Sequence, residues 1–213
     1  MLTLAVSRGR IWDAALPLLR ALNLAPDAAD TDTRRLVVRT ADSRVRLLRV
    51  RAQDTPVFVA CGAAQAGIAG RDVLAERRMS EIVCPLDLRF ARCRLVAAAP
   101  PDFRPEEGKT LLVATKYPNL TRAHFAEKGV AADIIKLHGA LEIAPQTGVA
   151  DMIADLADSG RTLRENGLVE RETIMRVSAM FIVNRVAARR RPETRDLQRR
   201  IAEYVRNAAA DSE

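Results

Sequence analysis

Short apolar runs alternate with helix-period segments along most of this chain, and that alternation constrains its fold more than any other feature. Residues 2–6 form a continuous apolar run that reads as a buried strand. It leads through Ser7-Arg8-Gly9-Arg10 into a segment that places Trp12, Leu16, Leu19 and Leu22 on one helical face. Residues 36–39 and 45–50 read as strands joined by a turn at 41–43. Asp54 is positioned to cap a helix that has Pro56 in its first turn and ends near Gly62. A short strand at 66–69 and a short helix at 71–76 follow, and a buried strand at 94–99 stops at Pro100-Pro101. The second half repeats the scheme: strands at 110–114, 132–137 and 152–156, a helix at 119–128 closed by Gly129, a helical stretch after Thr162, and a strand at 178–183. The chain closes with an amphipathic helix that starts at Pro192 and carries Leu197, Ile201, Tyr204, Val205 and Ala208 on its apolar side.

Such alternation predicts an α/β protein with mostly parallel sheets. About ten strands exceed what one small doubly wound domain holds, so two sheets are expected. The proline pair marks one border, and a return of the chain after 177 gives a discontinuous first domain, 1–90 plus 178–213, with 91–177 as the second. Only 4% of residues are aromatic, so the cores must be aliphatic.

The formal charge of +7 suggests an anionic partner. It is concentrated: residues 185–206 hold eight arginines against three acids. That segment offers an RNA- or DNA-binding reading, against which stands packing of the terminal helix within or between subunits. Three cysteines, Cys61, Cys84 and Cys93, form no CxxC pair, as in a reducing cytoplasm. The longest uncharged stretch, 55–70, contains a proline and three glycines and cannot cross a bilayer as one helix. Neither a membrane nor a nucleic acid is therefore the expected partner.

The strongest local signal is Asp155-Leu-Ala-Asp-Ser-Gly-Arg-Thr162, at the passage from a buried strand to a helix. Gly160 permits a backbone that turns successive N–H groups inward, Ser159 and Thr162 add hydroxyls, and a helix amino end adds partial positive charge, a combination suited to phosphate. The alternative is an ordinary capped turn. Asp155 and Asp158 favour a phosphorylated sugar, whose hydroxyls or bound magnesium carboxylates can engage. Ser7-Arg8-Gly9-Arg10 is a second strand-to-helix junction. Arg34-Arg35 and Arg49-Val50-Arg51 add guanidiniums suited to phosphate oxygens, though such arginines are commonly just solvated. Lys116 and Tyr117 end a strand as candidate ligand contacts. His124 and His138 have no metal-ligand spacing with the cysteines, and no nucleophilic triad can be assembled.

Taken together, Ser7-Arg-Gly-Arg10, Arg51-Ala-Gln-Asp54, Gly67-Ile-Ala-Gly-Arg-Asp-Val73, Ala114-Thr-Lys-Tyr-Pro-Asn119, Leu141-Glu-Ile-Ala-Pro145 and Asp155 to Leu168 resemble, in the same order, segments of ATP phosphoribosyltransferase, the enzyme that opens histidine biosynthesis. The resemblance implies two mixed or parallel-sheet domains of type II periplasmic-binding-protein architecture with a cleft between them. It also implies the short form, without a C-terminal regulatory domain, in the cytoplasm. Its substrates would be ATP and phosphoribosyl pyrophosphate, and its cofactor Mg2+. The catalytic chain would form a homodimer that assembles with a regulatory subunit related to histidyl-tRNA synthetase. Site roles follow from the same resemblance. Arg10, Arg34 and Arg51 would act on the pyrophosphate and ATP phosphates. Glu142, Asp155, Asp158, Ser159, Gly160, Arg161 and Thr162 would bind phosphoribosyl pyrophosphate, with Asp155 also at the metal. Ser7, Arg8, Gly9, Arg71, Asp72 and Lys116 would bind ATP. The chain departs from the family pattern in having Arg8 for a usual Lys, Ser159 for a commoner Thr, and Gln146-Thr147 where apolar residues are usual, a pair without a sequence-level explanation. A non-catalytic ligand-binding module of the same architecture is the rival reading.

Overall fold

The computed structural model describes residues 1–26, 35–106 and 108–210. Contacts divide the chain into two units. The first takes the described parts of Met1–Leu74, Arg78–Ala91 and Ser178–Glu213; the second takes Ala75–Arg77 and Arg92–Val177.

In the first unit, β1 (Leu2–Ser7) is buried along its whole length, which is why its sequence is a continuous apolar run rather than an alternating one. It pairs in parallel with β3 (Val45–Val50) and β4 (Ala66–Gly70). Antiparallel partners complete the described sheet: β2 (Val37–Arg39) on β3, and β11 (Ala179–Asn184) between β4 and β5 (Ile82–Asp87). The order is β2-β3-β1-β4-β11-β5. Helix α1 (Arg10–Ala21) buries Trp12, Ala15, Leu18 and Leu19 in a core that includes Leu4, Leu47 and Phe181. On the other sheet face Val59 of α2 (Thr55–Ala60) packs with Ala5 and Ile182. Gly67 is required there. A Cβ on it would lie 2.9 Å from Val59 Cγ2 and 3.0 Å from the Ala5 carbonyl.

The remaining helices are α6 (Arg185–Arg190) and α7 (Pro192–Ala210), with the first four residues of α3 (Arg71–Arg77), whose last three belong to the second unit. Asn184 caps α6, its side-chain oxygen accepting from the Val186 and Ala187 amides. Leu197 and Ile201 of α7 are buried against the first core, with Tyr204 and Val205 partly so. The arginines of α7 are in part internally engaged: Arg200 donates to the Leu22 carbonyl, and Arg199 pairs with Asp196 and Glu203.

The second unit carries a five-stranded sheet among the described residues, ordered β10-β6-β9-β7-β8. Its strands are β6 (Cys93–Ala99), β7 (Leu111–Thr115), β8 (Ala132–Lys136), β9 (Met152–Ala157) and β10 (Val169–Val177). Strands β7, β8 and β9 are parallel, whereas β6 runs antiparallel to both β9 and β10. Helix α4 (Pro118–Glu127) begins with a proline and is capped by the buried Glu76, whose carboxylate accepts from the Asn119 and Leu120 amides. A 3-10 turn (Leu141–Ile143) and the single-turn α5 (Arg161–Glu165) complete the unit.

Several expectations are corrected. The sheets are mixed rather than mostly parallel, because β2, β5, β6, β10 and β11 bring antiparallel pairings. The helical stretch after Thr162 stops at Glu165. Residues 169–177, rich in Glu and Arg, form a half-exposed edge strand whose polar residues face water, so its pattern mimics a solvated helix. β5 forms where no strand is expected, because a central proline disguises its pattern. Asp54 occupies the cap position of α2, but its side chain makes no capping bond.

Candidate functional site

Parallel strands deliver their C-terminal ends to one edge of a sheet, and in open α/β sheets that edge is where ligands bind. In the first unit the edge gathers the segments after β1, β3 and β4. Ser7 is registered opposite Val50, and the Arg8 amide donates to the Val50 carbonyl at 2.8 Å, which sets Arg8 beside Arg51. Arg8, Gly9, Arg10 and Arg51 are all exposed, and Gly9 has φ +76, a left-handed conformation natural to glycine. Ser7 is 0% exposed: its hydroxyl is 2.8 Å from that of Thr55, which donates onward to the Arg51 carbonyl. Its side chain therefore ties the edge together and presents no surface of its own. Asp72, 4% exposed in the first turn of α3, likewise presents almost no surface. Arg71 is exposed and pairs with Asp87 at 3.1 Å. Arg34 lies outside the described residues.

In the second unit the corresponding edge follows β7, β8 and β9. Thr115 pairs with Lys136 and Ala154, so β9 continues past Ala154 and sets Asp155 next to Lys116. The buried Thr115 hydroxyl donates to the Ala154 carbonyl at 2.7 Å and accepts the Tyr117 amide at 2.9 Å, which fixes the turn carrying Lys116. Tyr117 is buried with Cys93, Leu95 and Val177, so the candidate ligand contact is a core residue. His138 is exposed beyond β8.

Asp155 is the electrostatic centre of this edge. Its side chain is 14% exposed; Oδ2 lies 3.3 Å from Lys116 Nζ and Oδ1 accepts the Leu156 amide at 2.8 Å. Burial pushes its carboxyl above the ordinary carboxylate range; Lys116 and the Leu156 amide pull it down, and the Glu142 charge pushes it up again. The half-buried Glu142 is thus electrostatically coupled to Asp155.

Beyond β9, Asp158, Ser159, Arg161 and Thr162 are exposed around Gly160, whose φ of +70 is left-handed. The Arg161 amide donates to Ser159 Oγ at 3.4 Å, and the Arg161 side chain pairs with Glu165 at 2.7 Å. With five residues α5 has too short a macrodipole to bind an anion, so the loop's own amides, hydroxyls and cations must do so. Two further arginines engage it, Arg164 from the same segment and Arg94, which no sequence motif singles out. Arg94 donates to the Asp158 carbonyl and Arg164 to the Ser159 carbonyl. Gln146 and Thr147 also find a physical account. Gln146 Nε2 donates to the Asn166 carbonyl at 2.8 Å, bracing the end of α5, and the Thr147 hydroxyl donates to the Ile143 carbonyl at 3.0 Å.

The donor set is compatible with magnesium brought by a phosphorylated substrate. Among the described residues no group of three or more His, Cys, Asp or Glu could hold a metal alone. Mg2+, however, commonly takes one or two carboxylates with substrate phosphates and water, and Asp155 with Glu142 would be the carboxylates available here. Two cavities, of 410 and 390 Å3, contain none of these residues; one is lined by Asp42, Arg44 and Arg200, the other by Phe103, Phe125 and Lys128.

Residues 51–203 match the family model described as HisG, ATP phosphoribosyltransferase. A relative of that name from Methylococcus capsulatus is 48% identical over 88% of this chain and 87% of its own. The chain belongs to the ATP phosphoribosyltransferase family. Another relative so named, from Halorhodospira halophila, is 47% identical over 90% of this chain and 89% of its own. The fold is similar to a structure described as the ATP phosphoribosyl transferase (HisG:HisZ) complex from Thermotoga maritima. The TM-score is 0.83 at 29% identity, covering 97% of this chain and all of that one. The Escherichia coli periplasmic aliphatic sulphonate binding protein SsuA shares the fold at 13% identity, with a TM-score of 0.61 over 99% of this chain and 70% of its own. Type II binding-protein architecture is thus the fold of this family member. No described helix is long and apolar enough to cross a membrane.

Proposed function

We propose that this chain transfers the phosphoribosyl group of phosphoribosyl pyrophosphate to a ring nitrogen of ATP's adenine, giving phosphoribosyl-ATP and pyrophosphate, the first step of histidine biosynthesis. Family membership along the chain carries the reading, and the loop after β9 beside a buried carboxylate supports it. The nitrogen's lone pair forms a bond to the anomeric carbon while the bond to pyrophosphate breaks, its electrons leaving with pyrophosphate. The attacking nitrogen already carries a lone pair, so no strong general base is needed, consistent with a chain holding two histidines and many arginines. The demanding part is stabilising the departing negative charge and the positively charged sugar, an electrostatic task.

On this reading Asp158 to Thr162 bind the 5-phosphate, and Asp155 with Glu142 orients the ribose hydroxyls. Arg10, Arg34 and Arg51 serve the pyrophosphate and ATP phosphates. Arg8, Gly9, Arg71 and Lys116 contribute to ATP binding. Ser7 and Asp72, assigned to ATP by resemblance, act through the backbone and packing they hold in place. Mg2+, held by Asp155, Glu142 and substrate phosphates, would offset charge on the leaving group. We assign the chain to the cytoplasm as a homodimer that assembles with a histidyl-tRNA-synthetase-like regulatory subunit. The Thermotoga maritima structure is of a HisG:HisZ complex, which supports such a partner.

The test is phosphoribosyl-ATP formation from ATP, phosphoribosyl pyrophosphate and magnesium, with pyrophosphatase present and detection by mass spectrometry. Product from the chain alone, or only after adding the regulatory subunit, supports the reading. No product in either case moves the assignment to a ligand-binding module of the same fold.

A further inference from the structure

We propose that Arg94 and Arg164 are positioning residues of the phosphate loop, holding the Asp158 and Ser159 carbonyls so that the next two amides, Ser159 N–H and Gly160 N–H, are aimed at the sugar phosphate. The inference rests on the loop's assignment to the 5-phosphate above. In a trans peptide the carbonyl of one residue and the N–H of the next point in opposite directions. A guanidinium that captures a carbonyl therefore also fixes where the following N–H points. Arg164 Nη1 captures the Ser159 carbonyl at 2.9 Å, and Arg94 Nη1 reaches the Asp158 carbonyl at 3.4 Å. Two consecutive N–H groups are thereby turned away from the two arginines, the second on Gly160, whose φ of +70 is the type of backbone that forms anion-binding concavities.

The arginines are themselves held. Arg94 lies on β6 opposite Ala157, the last residue of β9. It engages Glu170 of β10 through two nitrogens, Nε to Oε1 at 3.3 Å and Nη2 to Oε2 at 2.9 Å, and Thr173 Oγ1 donates to Glu170 Oε1 at 3.0 Å. The Arg94 hydrogen bonds hold the Glu170 carboxyl below its ordinary range. An exposed pair of this kind contributes little to stability. Its forked geometry instead fixes the guanidinium plane and frees Nη1 for the loop. The polar edge strand β10 thus gains a purpose beyond closing the sheet. At Gly160, a Cβ would lie 3.2 Å from Arg164 Nη1, so the glycine and the arginine belong to one arrangement. The shorter contact of Arg164 makes it the stronger of the two positioning residues.

Arginine-to-lysine variants separate geometry from charge, because lysine keeps the charge but has no fork. In Arg164→Lys and Arg164→Met alike, the KM for phosphoribosyl pyrophosphate should rise about tenfold, the worth of one hydrogen bond to a charged group. The KM for ATP and the Tm should stay at wild-type values, with kcat within about twofold. Arg94→Lys should raise the same KM by a smaller factor. Glu170→Gln, which leaves both arginines in place but loosens Arg94, should do so too. Wild-type KM in Arg164→Lys would overturn the inference, as would equal losses for ATP and phosphoribosyl pyrophosphate. A wild-type protein that is active and binds ribose 5-phosphate, with variants indistinguishable from it, refutes the positioning role alone. A wild-type protein that neither makes product nor binds ribose 5-phosphate refutes the loop's assignment, and the inference with it.

Discussion

Replacing Asp155 by Asn should separate stability from function in a way that follows from the environment of that carboxylate. Asparagine is isosteric and its oxygen can still accept the Leu156 amide. The change therefore removes the negative charge and the contact to Lys116 at 3.3 Å. Lys116 is 34% exposed, so the lost ion pair is worth about 0.2–1 kcal/mol and the lysine stays solvated. Against that loss stands relief from burying a charge that is 14% exposed. The upward displacement of the Asp155 carboxyl shows that burial outweighs its attractive partners. The variant should therefore gain about 0–1 kcal/mol at neutral pH, or about 0–4 °C in Tm for a chain of this size.

The pH dependence gives the sign. A carboxyl whose folded-state pKa is raised stabilises the fold below its ordinary value of 3.8, and that contribution is lost as pH rises through the raised value. The Tm of Asp155→Asn relative to wild type should therefore increase as pH climbs from near 3.8, then become constant. Affinity for phosphoribosyl pyrophosphate should move the other way. Loss of a charged hydrogen-bond acceptor weakens it about 10- to 100-fold. Thermal melts across pH, with and without phosphoribosyl pyrophosphate, read both quantities. A Tm decrease beyond about 4 °C at neutral pH, or unchanged sugar-phosphate affinity, would refute the reasoning.

Two further outcomes test the first unit. Gly67→Ala forces a methyl to within 3.0 Å of the Ala5 carbonyl, which β1 cannot move, so stability should fall by about 1–3 kcal/mol. An unchanged Tm would show that the strands do not approach so closely. Asp42, hydrogen-bonded through its side chain to Arg44 at 2.8 Å, has its carboxyl lowered to about 2. In Arg44→Ala, NMR titration should find it raised towards, but still below, the ordinary carboxylate range, because the residue 44 amide still donates to Asp42 Oδ1, and no movement would mean that the side-chain pair does not persist in solution.

How much was legible in the sequence depends on the range of the interaction. The buried strands β1 and β4, the amphipathic α7 and the glycine-containing loop after β9 are local patterns, written in adjacent residues by hydrophobic periodicity and backbone freedom. The candidate phosphate loop and the arginines of residues 8–10 could be found for the same reason. Strand β10 departs from the helix expected after Thr162 because its neighbours in space, not in sequence, decide whether a Glu- and Arg-rich segment pairs as an edge strand or winds as a helix. Tyr117 stands beside the candidate Lys116 in sequence, yet packing turned it into the core with Cys93 and Val177.

By itself the sequence determined the α/β class, the aliphatic cores, the family and which segments are candidates for phosphate chemistry. Each is set by residues close together in the chain or by their collinear order. Only the tertiary structure decided which of the candidate side chains lie exposed at the strand ends and which are built into the scaffold. Ser7 was spent on Thr55, Asp72 was buried, and Arg94 was brought to Asp158 from 64 positions away by antiparallel register. Register, burial and the direction of a peptide plane are properties of paired strands, and no single segment contains them.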